Sequence, residues 1–197
     1  MLLHFLCVMN LDFSKYAKEL DEYSSFRDDL IKKARDVLKA SKHLIYSIHR
    51  KDENQAKSMY DDVLNLKKEL DLLAKKDPEL FFEGSYSEAI QEYVEAITFY
   101  VLVNDKKLLE KPEDVSIENY LCGICDLTGE ISRFVVNHAI ERKIDDVKYY
   151  HDIVNTLLGE LLKFNMRNGS LRQKYDSVKY NLKNIENVLY DLSLKQP

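Results

Sequence analysis

The sequence has 197 residues, and 45% of them are hydrophobic, so the chain can bury a core without disulfides or a structural metal. Only five glycines and three prolines occur, which is too little turn chemistry for an all-β or α/β fold, and we predict a single all-α domain. A formal net charge of −5 argues against a protein that coats nucleic acid with its whole surface. Three cysteines are too few for a disulfide framework, which indicates a reducing compartment, and we interpret the protein as cytoplasmic.

The first nine residues are apolar, but they carry no basic region and are far too short to span a bilayer. We therefore predict no association with a membrane. The simplest interpretation is an upstream start codon, with Met9 as the true beginning, so that residues 1–11 form an unstructured extension. The alternative is a strand or arm that docks on a partner.

Hydrophobic periodicity predicts long helices along the rest of the chain. The first is amphipathic, and the last keeps a four-three alternation of apolar residues over three heptads, as in a coiled coil. That seam can pair with another helix of the same chain or with a second subunit. A loop is expected at Gly84-Ser85, before the third helix. The predicted helices cover residues 12–50, 55–76, 87–104, 119–142 and 145–163, and the last begins at residue 170.

Two acidic pairs stand on neighbouring apolar helices. Glu92 and Glu95 are three residues apart and Asp126 and Glu130 are four apart, so each pair makes a local two-carboxylate surface. If the two helices pack side by side, the four carboxylates converge and repel one another unless a divalent cation lies among them. All-oxygen ligation suits Mg²⁺ or Mn²⁺, so these residues predict a metal site. The alternative is a salt bridge from each acid to a neighbouring helix.

The first helix is the most basic long segment of this acidic protein, with eight Lys or Arg against three Asp between residues 27 and 51. Beside its apolar face lies a basic stripe, which we interpret as a surface for nucleic-acid phosphates, because Lys and Arg carry much of such affinity. The alternative is an ordinary solvated helix face. Arg133, aligned with Asp126 and Glu130, is a further candidate near the metal. The basic stripe comprises Arg35, Lys39, Lys42, His49 and Arg50.

Glycines and cysteines cluster around Asp126. Gly123 and Gly129 lie in the interior of a predicted helix, where glycine costs about 1 kcal/mol relative to alanine, so they indicate close helix approach or room for a ligand. Cys122 and Cys125 have the spacing of a dithiol oxidoreductase. No βαβ pattern surrounds them, and we interpret them as packing residues of an apolar helix face.

The acidic motifs resemble those of the translin/TRAX family. Residues 91–96 (Gln-Glu-Tyr-Val-Glu-Ala) and 119–130 are similar to the two acidic signatures of TRAX, the catalytic partner, and so are Arg35-Asp36 and His49-Arg50. The end of the chain instead resembles the C-terminal helix of translin. The segments that carry this second likeness are residues 170–176 and 188–193.

The resemblance implies an all-α bundle of about seven helices that assembles into a closed hollow oligomer of eight subunits. It also implies binding of single-stranded RNA or DNA inside the shell, and endoribonuclease activity. By motif position, Glu92, Glu95, Asp126 and Glu130 would form the acidic, metal-dependent site. The short loop at residues 105–118 and the translin-like end depart from TRAX, so we expect a homo-oligomer that carries both binding and catalysis.

The functional hypothesis is metal-assisted hydrolysis of a phosphodiester in single-stranded RNA. One alternative is a non-catalytic, translin-like binding ring whose acids are structural. A second is an all-α nucleotide pyrophosphohydrolase, but here the second acidic pair is Asp-x-x-x-Glu rather than Glu-x-x-Asp, which argues against it. A ferritin-like site needs Glu-x-x-His on two helices, and no histidine of this chain stands in that motif.

Overall fold

The computed structural model describes residues 12–194, and all regular structure among them is helical. Six α-helices and one short 3₁₀ helix make up this regular structure, which confirms the all-α prediction. The predicted N-terminal extension, residues 1–11, lies outside the described residues. The helices are α1 (Ser14–His49), α2 (Glu53–Ala74), the 3₁₀ helix (Pro78–Phe82), α3 (Gly84–Asp105), α4 (Ile117–Ile140), α5 (Ile144–Leu161) and α6 (Ser170–Leu194).

Side-chain caps explain several helix starts. The Asp52 carboxylate accepts a hydrogen bond of 3.1 Å from the N–H of Gln55 at the start of α2. The Ser116 hydroxyl accepts one of 3.2 Å from the N–H of Asn119 at the start of α4. These caps satisfy backbone donors that would otherwise be unpaired at the helix ends.

Helix α3 begins three residues earlier than the sequence predicted. The expected loop at Gly84-Ser85 is the first turn of the helix, because Glu83 holds an extended backbone and turns the chain directly into it. The Glu83 carboxylate is fixed there by α1: it accepts hydrogen bonds from the Tyr23 hydroxyl at 2.7 Å and the Arg27 guanidinium at 2.8 Å. A long-range contact thus replaces the local cap that the sequence lacks.

The helices bury one continuous hydrophobic core. Helix α1 packs along α2 and α3, α3 packs along α4, and α4 packs against both α5 and α6. Phe99 and Tyr150 are among the largest side chains that are fully enclosed. The acidic faces of α3 and α4 are therefore placed side by side by the core itself.

The apolar seam of α6 is used within the chain. Tyr175, Val178, Leu182 and Ile185 are buried, and α6 contacts α4 and α5. Of the two partners left open by the sequence, the structure supplies a helix of the same chain. This arrangement also brings the polar side of α6 against α4, next to Asp126.

A buried charge network ties α2 to the loop before α4. The Lys67 ammonium, on a residue only 3% exposed, pairs with Asp71 at 2.6 Å and with Asp114. Asp71 also accepts a hydrogen bond of 2.9 Å from the Tyr86 hydroxyl of α3. Because Lys67 and Asp71 are shielded from water, each depends on its partners, whereas the Asp114 side chain is 62% exposed.

Two further sequence-based expectations concern membrane-spanning helices and the role of the two cysteines in α4. Among residues 12–194, no helix is long and apolar enough to cross a membrane. Cys122 and Cys125 are both buried in α4, and burial raises the pKa of Cys125 to about 12. A thiol of that pKa is not a thiolate nucleophile at neutral pH, so the structure favours the packing interpretation of the two cysteines.

Candidate functional site

The four predicted acids lie in one pocket. Glu92 and Glu95 project from α3, Asp126 and Glu130 project from α4, and all four line a cavity of about 620 Å³. We call this cavity the acidic pocket. Its remaining walls come from α1, α4 and α6. They comprise Lys42, Ile45, Tyr46, Cys125, Gly129, Arg133, Lys174, Ser177 and Asn181.

Gly123 lets α3 and α4 approach closely enough to share this pocket. A Cβ atom at Gly123 would lie 2.6 Å from the Gln91 backbone oxygen and 2.8 Å from the Val94 Cβ atom, both on α3. Neither distance is tolerable, so only glycine fits the helix crossing. Gly129 is different, since its Cβ would meet only the Asn181 Nδ2 atom at 3.6 Å, an ordinary contact.

A Gly123→Ala variant is therefore expected to lose about 1 to 3 kcal/mol of unfolding free energy, because the methyl group must push α3 away from α4. Gly129→Ala is the matched control on the same helix, and it should be neutral or gain up to about 1 kcal/mol from helix propensity. Urea unfolding of both variants measures the difference. Equal stabilities for the two would show that the close crossing at Gly123 has no energetic consequence.

Glu95 is the most enclosed acid of the acidic pocket. The residue is 7% exposed, and no cationic side chain of residues 12–194 forms an ion pair with it. Burial, reinforced by the charges of Asp126, Glu92 and Glu130, raises the pKa of Glu95 to about 9. At neutral pH this carboxyl group therefore keeps its proton unless a cation is present.

Each of the other three acids has a cationic partner. The Lys42 ammonium lies 3.6 Å from Glu92, and the Lys174 ammonium donates a hydrogen bond to Asp126. Burial still raises the pKa of both carboxyl groups above their ordinary values. The acidic pocket thus contains its own counter-charges, supplied by α1 and α6.

Glu130 is held from two sides. Its Oε2 atom lies 2.5 Å from the Nε2 atom of His49 and 3.7 Å from the Arg133 guanidinium. The His49 ring is enclosed between Phe99 and Phe134, with only 4% of its side chain exposed, and its Nδ1 atom has no hydrogen-bond partner among residues 12–194. His49 therefore lies behind Glu130, outside the lining of the acidic pocket, and orients that carboxylate.

The donor set fits a hard divalent cation. Four carboxylates on two facing helices, one of them buried without a counter-charge, supply the oxygen ligands that Mg²⁺ or Mn²⁺ prefers. As the side chains stand, no group of three or more His, Cys, Asp or Glu within residues 12–194 is arranged to hold a metal ion. Three of the acids are instead engaged by cationic side chains.

The predicted basic stripe divides between different surfaces. Lys42 lines the acidic pocket and His49 contacts Glu130, whereas Lys39 lines a separate groove between α1 and α2. Arg133, the further candidate from α4, also lines the acidic pocket. Arg35 is exposed, and the Arg50 guanidinium lies 5.6 Å from the centre of the Tyr46 ring. The structure therefore brings only part of the stripe to the four acids.

Helix α6 contributes residues to the acidic pocket that the sequence analysis missed. Lys174, Ser177 and Asn181 follow one another at three- and four-residue steps beside the apolar seam, and that polar stripe was the available signal. Asn181 donates a hydrogen bond of 2.9 Å to the Thr128 hydroxyl, which fixes α6 on α4 two residues after Asp126.

Comparison with known proteins finds one family model and several relatives that match this chain. The family model described as the Translin family matches residues 25–196. Human translin is 35% identical over 86 residues, which are 44% of this chain and 38% of translin, so the match spans about two fifths of that relative. A translin-associated protein X homolog of Schizosaccharomyces pombe is 24% identical, with 95% of this chain and 90% of the homolog covered.

Solved structures resemble the fold over nearly its whole length. The structure described as apo-NeC3PO has a TM-score of 0.84 and 26% identity, and the match covers 93% of this chain and 98% of that one. A structure described as an AfC3PO complex with duplex RNA has a TM-score of 0.87 at 20% identity, with 94% and 98% covered, which shows a shared fold.

Proposed function

The chain belongs to the translin family, and from that premise we propose that it binds single-stranded RNA or DNA within a homo-oligomeric shell of eight subunits and cleaves RNA in its acidic pocket with Mg²⁺ or Mn²⁺. The observation that carries the catalytic part is Glu95, a buried acid that forms no ion pair among residues 12–194 and shares the acidic pocket with three further carboxylates. Similarity to a translin-associated protein X homolog supports the nucleic-acid part. We further propose that the protein acts in the reducing cytoplasm.

The four acids would hold the cation, since they are the oxygen donors that line the acidic pocket. When bound, the metal would lower the pKa of a water molecule and offset negative charge on the phosphate. Glu95, whose pKa is raised mainly by burial and also by the neighbouring carboxylates, would give up its proton to such a cation, because a nearby positive charge favours the ionised form. His49 holds Glu130 in place throughout, since its ring is fixed between two phenylalanines.

Lys42 and Arg133 would meet the RNA backbone at the mouth of the acidic pocket. Both side chains are 57% exposed, so their charges are available to a phosphate while they still reach Glu92 and Glu130. The oligomeric part of the proposal is supported by large apolar side chains that the single chain leaves exposed. They include Tyr16 and Leu20 on α1, and Tyr180, Tyr190 and Leu194 on α6.

The decisive experiment combines assembly and activity. Size-exclusion chromatography with light scattering would be followed by a cleavage assay on the same peak, using single-stranded RNA with Mn²⁺, Mg²⁺ or EDTA. We expect an oligomer that cleaves RNA only with metal. RNA binding in EDTA without cleavage on adding metal would support the non-catalytic ring, and hydrolysis of nucleoside triphosphates would support the pyrophosphohydrolase alternative.

The basic residues give a second, independent test. Lys42→Ala is expected to weaken binding of single-stranded RNA and to reduce the slope of log affinity against log salt by about 0.7, because one phosphate contact is lost. Lys68→Ala, an exposed lysine on α2 away from the acidic pocket, is the matched control and should leave the slope unchanged. Filter binding between about 50 and 200 mM salt measures both. An unchanged slope for Lys42→Ala would make this lysine an ordinary surface residue.

A further inference from the structure

Lys174 differs from the other cationic side chains of the acidic pocket. Only 29% of its side chain is exposed, compared with 57% for both Lys42 and Arg133. It also hydrogen-bonds directly to Asp126, whereas Lys42 and Arg133 stay 3.6 and 3.7 Å from their acids. The Lys174 ammonium is thus the innermost positive charge of the acidic pocket.

Its charge acts on more than one acid. The Lys174 side chain lines the acidic pocket together with Glu92 and Glu95 of α3, while its ammonium group hydrogen-bonds to Asp126 of α4. The acids come from α3 and α4 while Lys174 comes from α6, so one ammonium group offsets the repulsion between two neighbouring helices. The Lys174 ammonium thus supplies the positive charge that a bound cation would supply.

We propose that Lys174 is a positioning residue that neutralises the acidic pocket when metal is absent and competes with the divalent cation for Asp126. This inference rests on the proposed function, since it concerns the affinity of the same acids for metal. An ammonium and a divalent cation repel each other at short range, so both cannot occupy the Asp126 carboxylate together. Metal binding therefore requires Lys174 to release Asp126.

Replacing Lys174 with a neutral residue should have opposite effects on thermal stability and on metal affinity. Lys174→Met is expected to lower the melting temperature in EDTA, because Asp126 loses its ion-pair partner beside the other acids of the acidic pocket. It should at the same time bind Mn²⁺ about tenfold more tightly than the natural chain at pH 8. A merely structural lysine would give the opposite second result, because a loosened acidic pocket binds metal more weakly.

The experiment is a calorimetric titration of the full chain with Mn²⁺, without RNA. Lys174→Gln serves as a second neutral variant should the methionine variant fail to fold, and Lys174→Arg should keep the affinity of the natural chain. Lys183→Met, which removes an exposed lysine of the same helix, is the matched control. Equal or weaker Mn²⁺ affinity in both neutral variants would overturn the inference. Absence of Mn²⁺ binding by the natural chain would instead overturn the proposed metal function itself.

Discussion

With glutamine at both Glu92 and Glu95, the rate of metal-dependent RNA cleavage is expected to fall at least about a hundredfold. Glutamine keeps the shape of each side chain but removes the negative charge that would hold the cation. The fold should survive, because Glu95 is already uncharged at neutral pH when its pKa is about 9. Initial cleavage rates with Mn²⁺, alongside melting temperatures, measure the two properties separately.

Glu88→Gln is the matched control for that variant. Glu88 lies on the same helix, one turn before Glu92, but it is exposed and does not line the acidic pocket. Its removal changes the net charge in the same direction without touching the proposed ligands. Cleavage at the natural rate by the Glu92 and Glu95 double variant would rule out the acidic pocket as the catalytic site.

Replacing Lys67 with methionine is expected to destabilise the protein by about 3 to 5 kcal/mol, although the residue lies outside the acidic pocket. Methionine fills similar space, but Asp71 is left 9% exposed without its ammonium partner. Asp71 would then have only the Tyr86 hydroxyl as a partner in the network, and the tie between α2 and the loop at Asp114 would be lost.

Urea unfolding of Lys67→Met measures this loss. Lys68→Met is the control, since Lys68 is the exposed neighbour on the same helix, and a surface substitution of this kind changes stability by no more than about 0.5 kcal/mol. If Lys67→Met were as stable as Lys68→Met, the buried network would contribute nothing net to folding.

The helices were predictable because their apolar residues repeat at the helical period. Five of the six α-helices begin within about two residues of their predicted starts. The exception, α3, depends on Glu83 being held by Tyr23 and Arg27, which lie 60 and 56 residues earlier in the chain. No local pattern reports such a contact.

The pairing of acids was predictable for the same reason, since Glu92 with Glu95 and Asp126 with Glu130 are neighbours on any helix. Their convergence depends on the crossing at Gly123, which the sequence indicated only as one of two roles for glycine. The contribution of Lys174 was missed, because the sequence analysis of its helix rests on the apolar seam and leaves the polar stripe beside it unused. Contacts between helices that are far apart in the chain depend on the packing of the whole core, and no local sequence pattern reports them.

The counter-charges of the acidic pocket bear on how an acidic protein can admit a polyanion. Three ionised carboxylates are matched by the groups of Lys42, Lys174 and Arg133, while Glu95 retains its proton. Summed in this way, the groups give a formal charge of zero. An incoming strand would therefore meet no net local repulsion in the acidic pocket, although the whole protein carries an excess of acidic residues.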